Sequence, residues 1–396
     1  MNGTIYMPVG EVCSSISDTY REKKNMVTLI NTSDVLEGRV LNHERVPNSN
    51  LKGQFKKTFQ RDDILYSEIR PQNRRFAYVD FSPIDYIAST KLMVIRAKKD
   101  VVSPKYLYYF LKNSSTVAEL QLLAETRSGT FPQITFSEVA NLTIPVPSLA
   151  VQEVIVQTMQ CLEDKITCNE QINDNLQQQA AAIFRSWFVD CAPFGGKAPD
   201  EWKNVTLEDI TALISRGITP KYADDTDQIV INQKCIRNHT IDLSLARTHT
   251  PKVINEKWLR FGDLLINSTG DGTLGRAAQV WFQPKNLTVD SHVTIARPAK
   301  ENLIFYIGLW GILHEKEIES LHTGSTGQTE LPRDRVKAME LRLPDNDTLD
   351  RFNALITPMA TAIVANQEEN NRLAALRDAI LPKLMSGEID VSAVQL

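Results

Sequence analysis

Between Val151 and Phe188 the chain repeats at alternating steps of four and three residues: Ile155, Met159, Leu162, Ile166, Asn169, Asn173, Leu176, Ala180, Ile183 and Trp187. A spacing that averages 3.5 residues keeps one stripe of a helix against one partner, and charged and glutamine-rich residues fill the remaining positions. The segment therefore predicts a long helix with a heptad seam. Two asparagines interrupt the stripe. Buried Asn at a seam lowers stability but specifies register and partner.

The pattern returns 197 residues later as Phe352, Ile356, Met359, Ile363, Asn366, Asn370, Leu373, Arg377, Ile380 and Leu384. Asn366 falls on Asn169 and Asn370 on Asn173, so spacing, register and both polar interruptions coincide. Upstream, Val139, Leu142, Ile144, Val146 and Pro147 fall on Val336, Met339, Leu341, Leu343 and Pro344, which predicts a short strand closed by proline before each helix. Further back, Arg61–Ser67 resembles Phe261–Asn267 with Asp63 on Asp263, each reading as a turn followed by a buried strand. The offset there is 200, so loops differ while the frame is shared.

A duplicated α+β chain follows: two similar mixed domains and two long helices in alternation, an internal repeat. The expected boundaries are a domain over 1–150, a helix over 151–190, a Pro/Gly-rich linker over 191–200, a domain over 201–347, a helix over 348–386 and a tail over 387–396.

Composition narrows the class. With 42% apolar and 23% charged residues in 396, the chain can bury several cores and is neither disordered nor a membrane protein. No run approaches the length of a membrane helix, and the start MNGTIYMPVGEVC lacks the basic and apolar regions of a signal peptide, so a cytoplasmic address is expected. Cys13, Cys161, Cys168, Cys191 and Cys235 have no paired spacing and read as reduced packing residues. The six histidines show no metal-ligand spacing, so no metal is expected.

Catalytic signals fail on context. Gly270-Asp-Gly272-Thr-Leu-Gly275 fits a dinucleotide fingerprint, but Arg276-Ala-Ala-Gln-Val-Trp-Phe282 behind it alternates and is β-rich, where the cofactor reading needs a helix. It reads as a hairpin loop. No Asn- or Asp-Pro-Pro-aromatic tetrapeptide of an amino-group methyltransferase occurs. No catalytic residue is assigned, and no cofactor is expected in this chain.

Binding signals are local, because neither half is a basic domain: residues 1–150 carry 19 Lys and Arg against 15 Asp and Glu, and residues 201–345 carry 18 against 19. Between Lys52 and Arg75, seven Lys and Arg face three acids. Within that stretch Arg70, Gln72, Asn73, Arg74 and Arg75 suit phosphates and base edges. The corresponding part of the second half offers Asn267, Thr269 and Arg276. Before each proline-closed strand lies a loop rich in Gly, Ser and Thr, with Arg127, Ser128, Thr130 and Gln133 in the first and Ser325, Thr326 and Gln328 in the second, able to present donors to phosphate.

The tandem layout resembles that of type I restriction enzyme specificity subunits. So do the exits Leu142-Thr-Ile-Pro-Val-Pro147 and Leu341-Arg-Leu-Pro344, the run Ala182-Ile-Phe-Arg-Ser-Trp-Phe-Val-Asp190 and the ending Ala379-Ile-Leu-Pro-Lys-Leu-Met-Ser-Gly-Glu-Ile389. One departure is that Pro199-Asp-Glu-Trp-Lys203 opens the second half without a matching Trp in the first. The resemblance implies two target recognition domains, each reading half of a split double-stranded DNA sequence. It implies two long antiparallel coiled-coil helices that set the gap, in a pseudo-two-fold repeat. It implies two modification subunits carrying S-adenosylmethionine, and restriction subunits using ATP and magnesium. A helix of about 35 residues is roughly 50 Å long, comparable to about 15 base pairs. The competing expectation is a non-enzymatic coiled-coil scaffold with two ligand- or protein-binding domains.

Overall fold

The computed structural model describes residues 4–22, 24–49, 53–127, 131–270, 272–324 and 329–391, with the Arg127 side chain left undescribed. It mixes helix and strand and divides into two compact units, Met1–Thr167 with Asn370–Leu396, and Cys168–Glu369.

In the first unit a four-stranded sheet orders Cys13–Ile16, Leu92–Ala97, Ile64–Ser67 and Phe76–Tyr78, all antiparallel. Its two central strands are nearly continuous apolar runs because both faces are covered. Ile64, Tyr66, Met93 and Ile95 point into a core with Tyr106, Leu107 and Ile155. The alternate residues Leu65, Leu92 and Val94 point into a second core with Ile30, Phe59, Val79 and Ala88. That second core is closed by a sheet ordered Val46–Pro47, Met26–Ile30, Tyr86–Ser89 and Phe55–Lys57. Beneath the central strands Asp63, fully buried, accepts from Arg96 Nε at 2.7 Å and Nη2 at 2.8 Å, while its Oδ2 caps the Gln60 N–H.

The strand Thr143–Val146 pairs with Ile5–Pro8, and proline at 147 releases the chain into a helix over Leu149–Phe184. The first part of this helix belongs to the first unit. There Ile155, Val156 and Met159 are buried with Leu381, Leu384 and Met385 from the end of a second long helix, Asn346–Ser386, so late residues of one face early residues of the other. Leu162 and Ile380 pack beside them, Leu373 is half-buried, and Ile166 offers its carbonyl to Asn370 Nδ2 at 3.4 Å. Each buried aliphatic side chain stabilises by about 1.5–3 kcal/mol, enough to outweigh one seam amide. Glu163 ties three elements together: it accepts from Tyr109 Oη at 2.9 Å and from Lys112 Nζ, with Arg377 at 3.9 Å. Burial pushes the Lys112 ammonium below its usual value, and Glu163 opposes that shift.

In the second unit a four-stranded antiparallel sheet orders Thr211–Arg216, Val293–Pro298, Leu264–Asn267 and Ala277–Gln279. Leu264, Ile266, Ala277 and Ala296 face a core with Tyr306, Trp310 and Phe352, whereas Leu265, Ala278, Val293 and Ile295 face one with Ile231, Leu259 and Val289. A three-stranded sheet of Arg247–Thr248, Ile229–Ile231 and Leu287–Val289 closes the latter. Where Gly217 passes this sheet, an added Cβ would lie 1.9 Å from the Val289 carbonyl oxygen, so only glycine fits. Asp263, fully buried, holds Arg297 as Asp63 holds Arg96.

Here Ala180 and Phe184 meet Phe352, Ile356, Ala360 and Ile363, with Leu176, Ile183, Trp187 and Met359 packed alongside. The seam is polar at two steps. Asn169 Nδ2 donates to Glu369 at 2.8 Å, and Asn366 Nδ2 donates to Asn173 Oδ1 at 2.8 Å. Just before the second long helix, the Asp345 carboxylate caps its first turn by accepting from Thr348 N at 2.9 Å and Thr348 Oγ1 at 2.7 Å.

Some details depart from the sequence expectation. Each helix starts two residues before its expected boundary, and the first passes from α to π geometry over Arg185–Val189. Residues 191–200 are folded against their unit: Cys191, Ala198 and Trp202 are buried with Phe188 and Phe194 beside them. Cys161 and Cys168 are exposed on the first long helix, whereas Cys13, Cys191 and Cys235 are buried. The apolar stripe takes up one helix face, and these two cysteines lie off it.

Candidate nucleic-acid interface

In the first unit, the end of strand Ile64–Ser67 runs into a tight turn at Pro71–Asn73 flanked by Arg70 and Arg74, both in the left-handed region at φ 44° and 52°. Such a backbone costs a non-glycine residue free energy and persists only where neighbours enforce it. The enforcement is visible. Gln121 Oε1 accepts from Gln72 N at 3.2 Å, Arg74 Nη2 donates to Ser114 Oγ at 2.9 Å, and Arg75 Nη1 donates to the Ser33 carbonyl at 3.0 Å. The Arg74 and Arg75 side chains thus hold the loop, while Arg70, Gln72 and Asn73 are exposed on it.

The fold brings the loop before the proline-closed strand to the same place. Ile69 bridges Gln133, Arg70 N donates to the Pro132 carbonyl at 3.1 Å, and Ile134 N donates to the Glu68 carbonyl at 2.9 Å. Lys91, which the sequence pattern did not single out, joins them by donating to Gln133 Oε1 at 3.1 Å and Glu68 Oε2 at 3.3 Å. Arg127 ends a helix over Ser114–Arg127; its side chain, Ser128 and Thr130 lie outside the described residues.

In the second unit, strands Leu264–Asn267 and Ala277–Gln279 pair antiparallel, and the glycine-rich stretch between them is their hairpin loop. Gly270, Gly272 and Gly275 all take positive φ, and Arg276 Nη2 closes the loop onto the Gly272 carbonyl at 2.8 Å. Among the described residues of this loop none begins a helix that could receive a pyrophosphate. Thr269 bridges Glu330, Leu331 N donates to the Ser268 carbonyl at 2.8 Å, and Arg216 pairs with Glu330 at 2.5 Å. Thr269 Oγ1 also contacts the exposed His292 Nδ1 at 2.7 Å. Beneath it lies the buried carboxyl of Asp290, which accepts from His292 N at 2.9 Å; burial raises its pKa above the usual carboxylate value, against a smaller opposing effect of His292.

Asn267 differs from the reading of it as a presented group. It is fully buried, donates to the Gln233 carbonyl at 3.0 Å, and leaves Oδ1 without a partner. Its strand is covered on both faces, so neither side offers the residue to solvent. Ser325, Thr326 and Gln328 lie outside the described residues.

In the first unit the loop pair presents the Arg70 guanidinium and the Gln72 and Asn73 amides, and in the second the described residues offer the Thr269 hydroxyl and the Arg276 guanidinium, donors of the kind that suit phosphates and base edges. Among the described residues no group of His, Cys, Asp and Glu could hold a metal ion, and no helix is long and apolar enough to cross a membrane.

Residues 6–178 match the type I restriction modification DNA specificity domain. The type I restriction enzyme HindI specificity subunit of Haemophilus influenzae is 28% identical, over 92% of this chain and 94% of its own length. The MjaIX specificity subunit of Methanocaldococcus jannaschii is 26% identical over 78% and 76%. A solved structure of a type I restriction-modification S subunit from M. genitalium shares the fold, with TM-score 0.53 and 14% identity over 97% of this chain and 96% of that chain.

Proposed function

We propose that the chain is a type I restriction-modification specificity subunit, like the relatives it resembles, and that it reads a split DNA target with two recognition domains held apart by its long helices. Residues 1–150 and 201–347 form the readers, and the helices over 151–190 and 348–386 form an antiparallel coiled coil within a pseudo-two-fold repeat.

The observation that carries this reading is the matching plan of the two units. Each has a central sheet sandwiched between two cores, with a buried aspartate gripping an arginine on the neighbouring strand: Asp63 with Arg96, Asp263 with Arg297. Each also has a strand-plus-proline exit into a long helix. Two similar readers suit two half-sites, and the seam asparagines suit a spacer whose register matters.

In this scheme the chain performs no catalysis. Two modification subunits dock on its two equivalent halves and bring S-adenosylmethionine, and restriction subunits bring ATP hydrolysis with magnesium. The candidate contacts to DNA are Arg70, Gln72, Asn73, Gln133, Thr269 and Arg276, with Arg127, Ser128, Thr130, Ser325, Thr326 and Gln328 in the adjoining loops. Arg74, Arg75 and Asn267 support them from within.

The test is to co-express the chain with a modification subunit and map adenine methylation across a genome. A split motif with a fixed gap, lost when this chain is omitted, is the expected result. A stable complex without sequence-dependent methylation would favour a scaffold instead.

A further inference from the structure

Resting on that DNA-reading role, we infer that Arg247, stacked on Tyr222, is an additional duplex contact of the second unit. The pair is set by a ladder. Tyr222 bridges His249 antiparallel, Thr250 N donates to the Lys221 carbonyl at 2.8 Å and Ala223 N to the Thr248 carbonyl at 3.3 Å. On its other side Thr248 pairs with Ile229. Residues two apart share a strand face, so Arg247 lies diagonally across from Tyr222, within reach of a long side chain. Its guanidinium carbon sits 3.5 Å from the ring centroid. Both side chains are exposed, Tyr222 by 41%.

The guanidinium is otherwise unspent. Asp224, Asp225 and Asp227 follow Tyr222 within five residues, yet among the described residues Arg247 makes no ion pair or side-chain hydrogen bond. Two other arginines of the unit are committed, Arg216 to Glu330 and Arg297 to Asp263. Arg247 keeps its five N–H donors available, with no carboxylate neutralising it.

An exposed stack of this kind adds little to stability. It does restrict a side chain that otherwise loses much rotamer freedom on binding, and it lays the guanidinium flat with its fork of donors free. Two parallel N–H groups match a phosphate or the O6 and N7 edge of guanine.

The test uses the full chain co-expressed with a modification subunit, and a duplex that the wild-type complex selects from a random library. Binding is measured over a range of salt for Arg247→Ala, Arg247→Lys, Tyr222→Leu and Tyr222→Phe. Arg247→Ala is expected to weaken binding roughly tenfold or more. Arg247→Lys should follow closely because an ammonium lacks the fork, and Tyr222→Phe should change little because it keeps the ring. Melting temperatures are expected to match the wild type. A loss confined to one base pair identifies a guanine edge, and a uniform loss with a salt slope lower by about 1 identifies a phosphate; either supports the contact. If Arg247→Ala binds with wild-type affinity and salt slope while the wild type still selects one sequence, the contact is refuted and the reading role stands. If the wild type selects no sequence, the reading role itself falls.

Discussion

Asp263 grips Arg297 with both carboxylate oxygens, Nε to Oδ1 at 2.8 Å and Nη2 to Oδ2 at 2.7 Å, and neither side chain is more than 7% exposed. Arg297 also donates to the Glu256 and Trp258 carbonyls at 2.7 Å each. The pair thereby fastens the loop before the buried strand to the neighbouring strand.

Removing one partner leaves an uncompensated buried charge, so Arg297→Leu or Asp263→Leu should each cost about 3–5 kcal/mol. The double variant Asp263→Leu with Arg297→Met should recover part of that. The corresponding Asp63→Leu should cost less, because Arg96 is 31% exposed and water can solvate it. Urea unfolding of the four variants measures the order; equal losses at both sites would contradict it.

Asn173 and Asn366 exchange one hydrogen bond across the seam of the second unit. Asn173→Leu alone strands the Asn366 amide and should cost about 1 kcal/mol, whereas leucine at both positions should be neutral or stabilising. The two midpoints in a denaturant titration decide this. A double variant much less stable than either single would mean that the pair does more than set register.

Burial raises the folded-state pKa of Asp290 above its usual 3.8. The folded chain then binds this proton more tightly than the unfolded chain does. The stabilisation is complete below the unfolded value and is lost as pH rises through the folded value. Asp290→Asn keeps an oxygen for His292 N and should flatten that part of the stability–pH curve, leaving the variant more stable than wild type at neutral pH. A variant less stable at every pH would reverse the sign.

Arg70 and Arg75 should separate under substitution. Arg70→Ala removes an exposed donor and should weaken DNA binding with an unchanged melting temperature. Arg75→Ala frees the Ser33 and Val35 carbonyls and should lower the melting temperature by several degrees for a loss of about 1 kcal/mol. Parallel thermal and binding titrations distinguish the two roles.

Adding one heptad to both long helices keeps the seam in phase while lengthening each by about 10 Å. The gap between the methylated half-sites should change, and the half-sites themselves should not. Methylation mapping that returns altered half-sites and an unaltered gap would deny the helices their spacing role.

The sequence by itself determined the elements whose signal repeats along the chain. A helix seam of more than four heptads is written in ten steps and occurs twice, and its polar steps at Asn169, Asn173, Asn366 and Asn370 are as legible as its apolar ones. The buried strands after Asp63 and Asp263 were legible for the same reason, since a turn followed by an apolar run needs only local information. Only the tertiary structure decided which side chains are available at the candidate interface. Arg70 and Arg75 look alike as residues in one basic loop, yet one is exposed and the other is spent on carbonyls about 40 residues away. Asn267 is buried because its strand is covered on both faces, and Lys91 reaches Gln133 because two distant loops are hydrogen-bonded together. Tyr222 and Arg247 meet only through a ladder that joins residues 25 apart. Such pairings depend on which strands become neighbours, and a periodicity measured along one segment carries no record of the other.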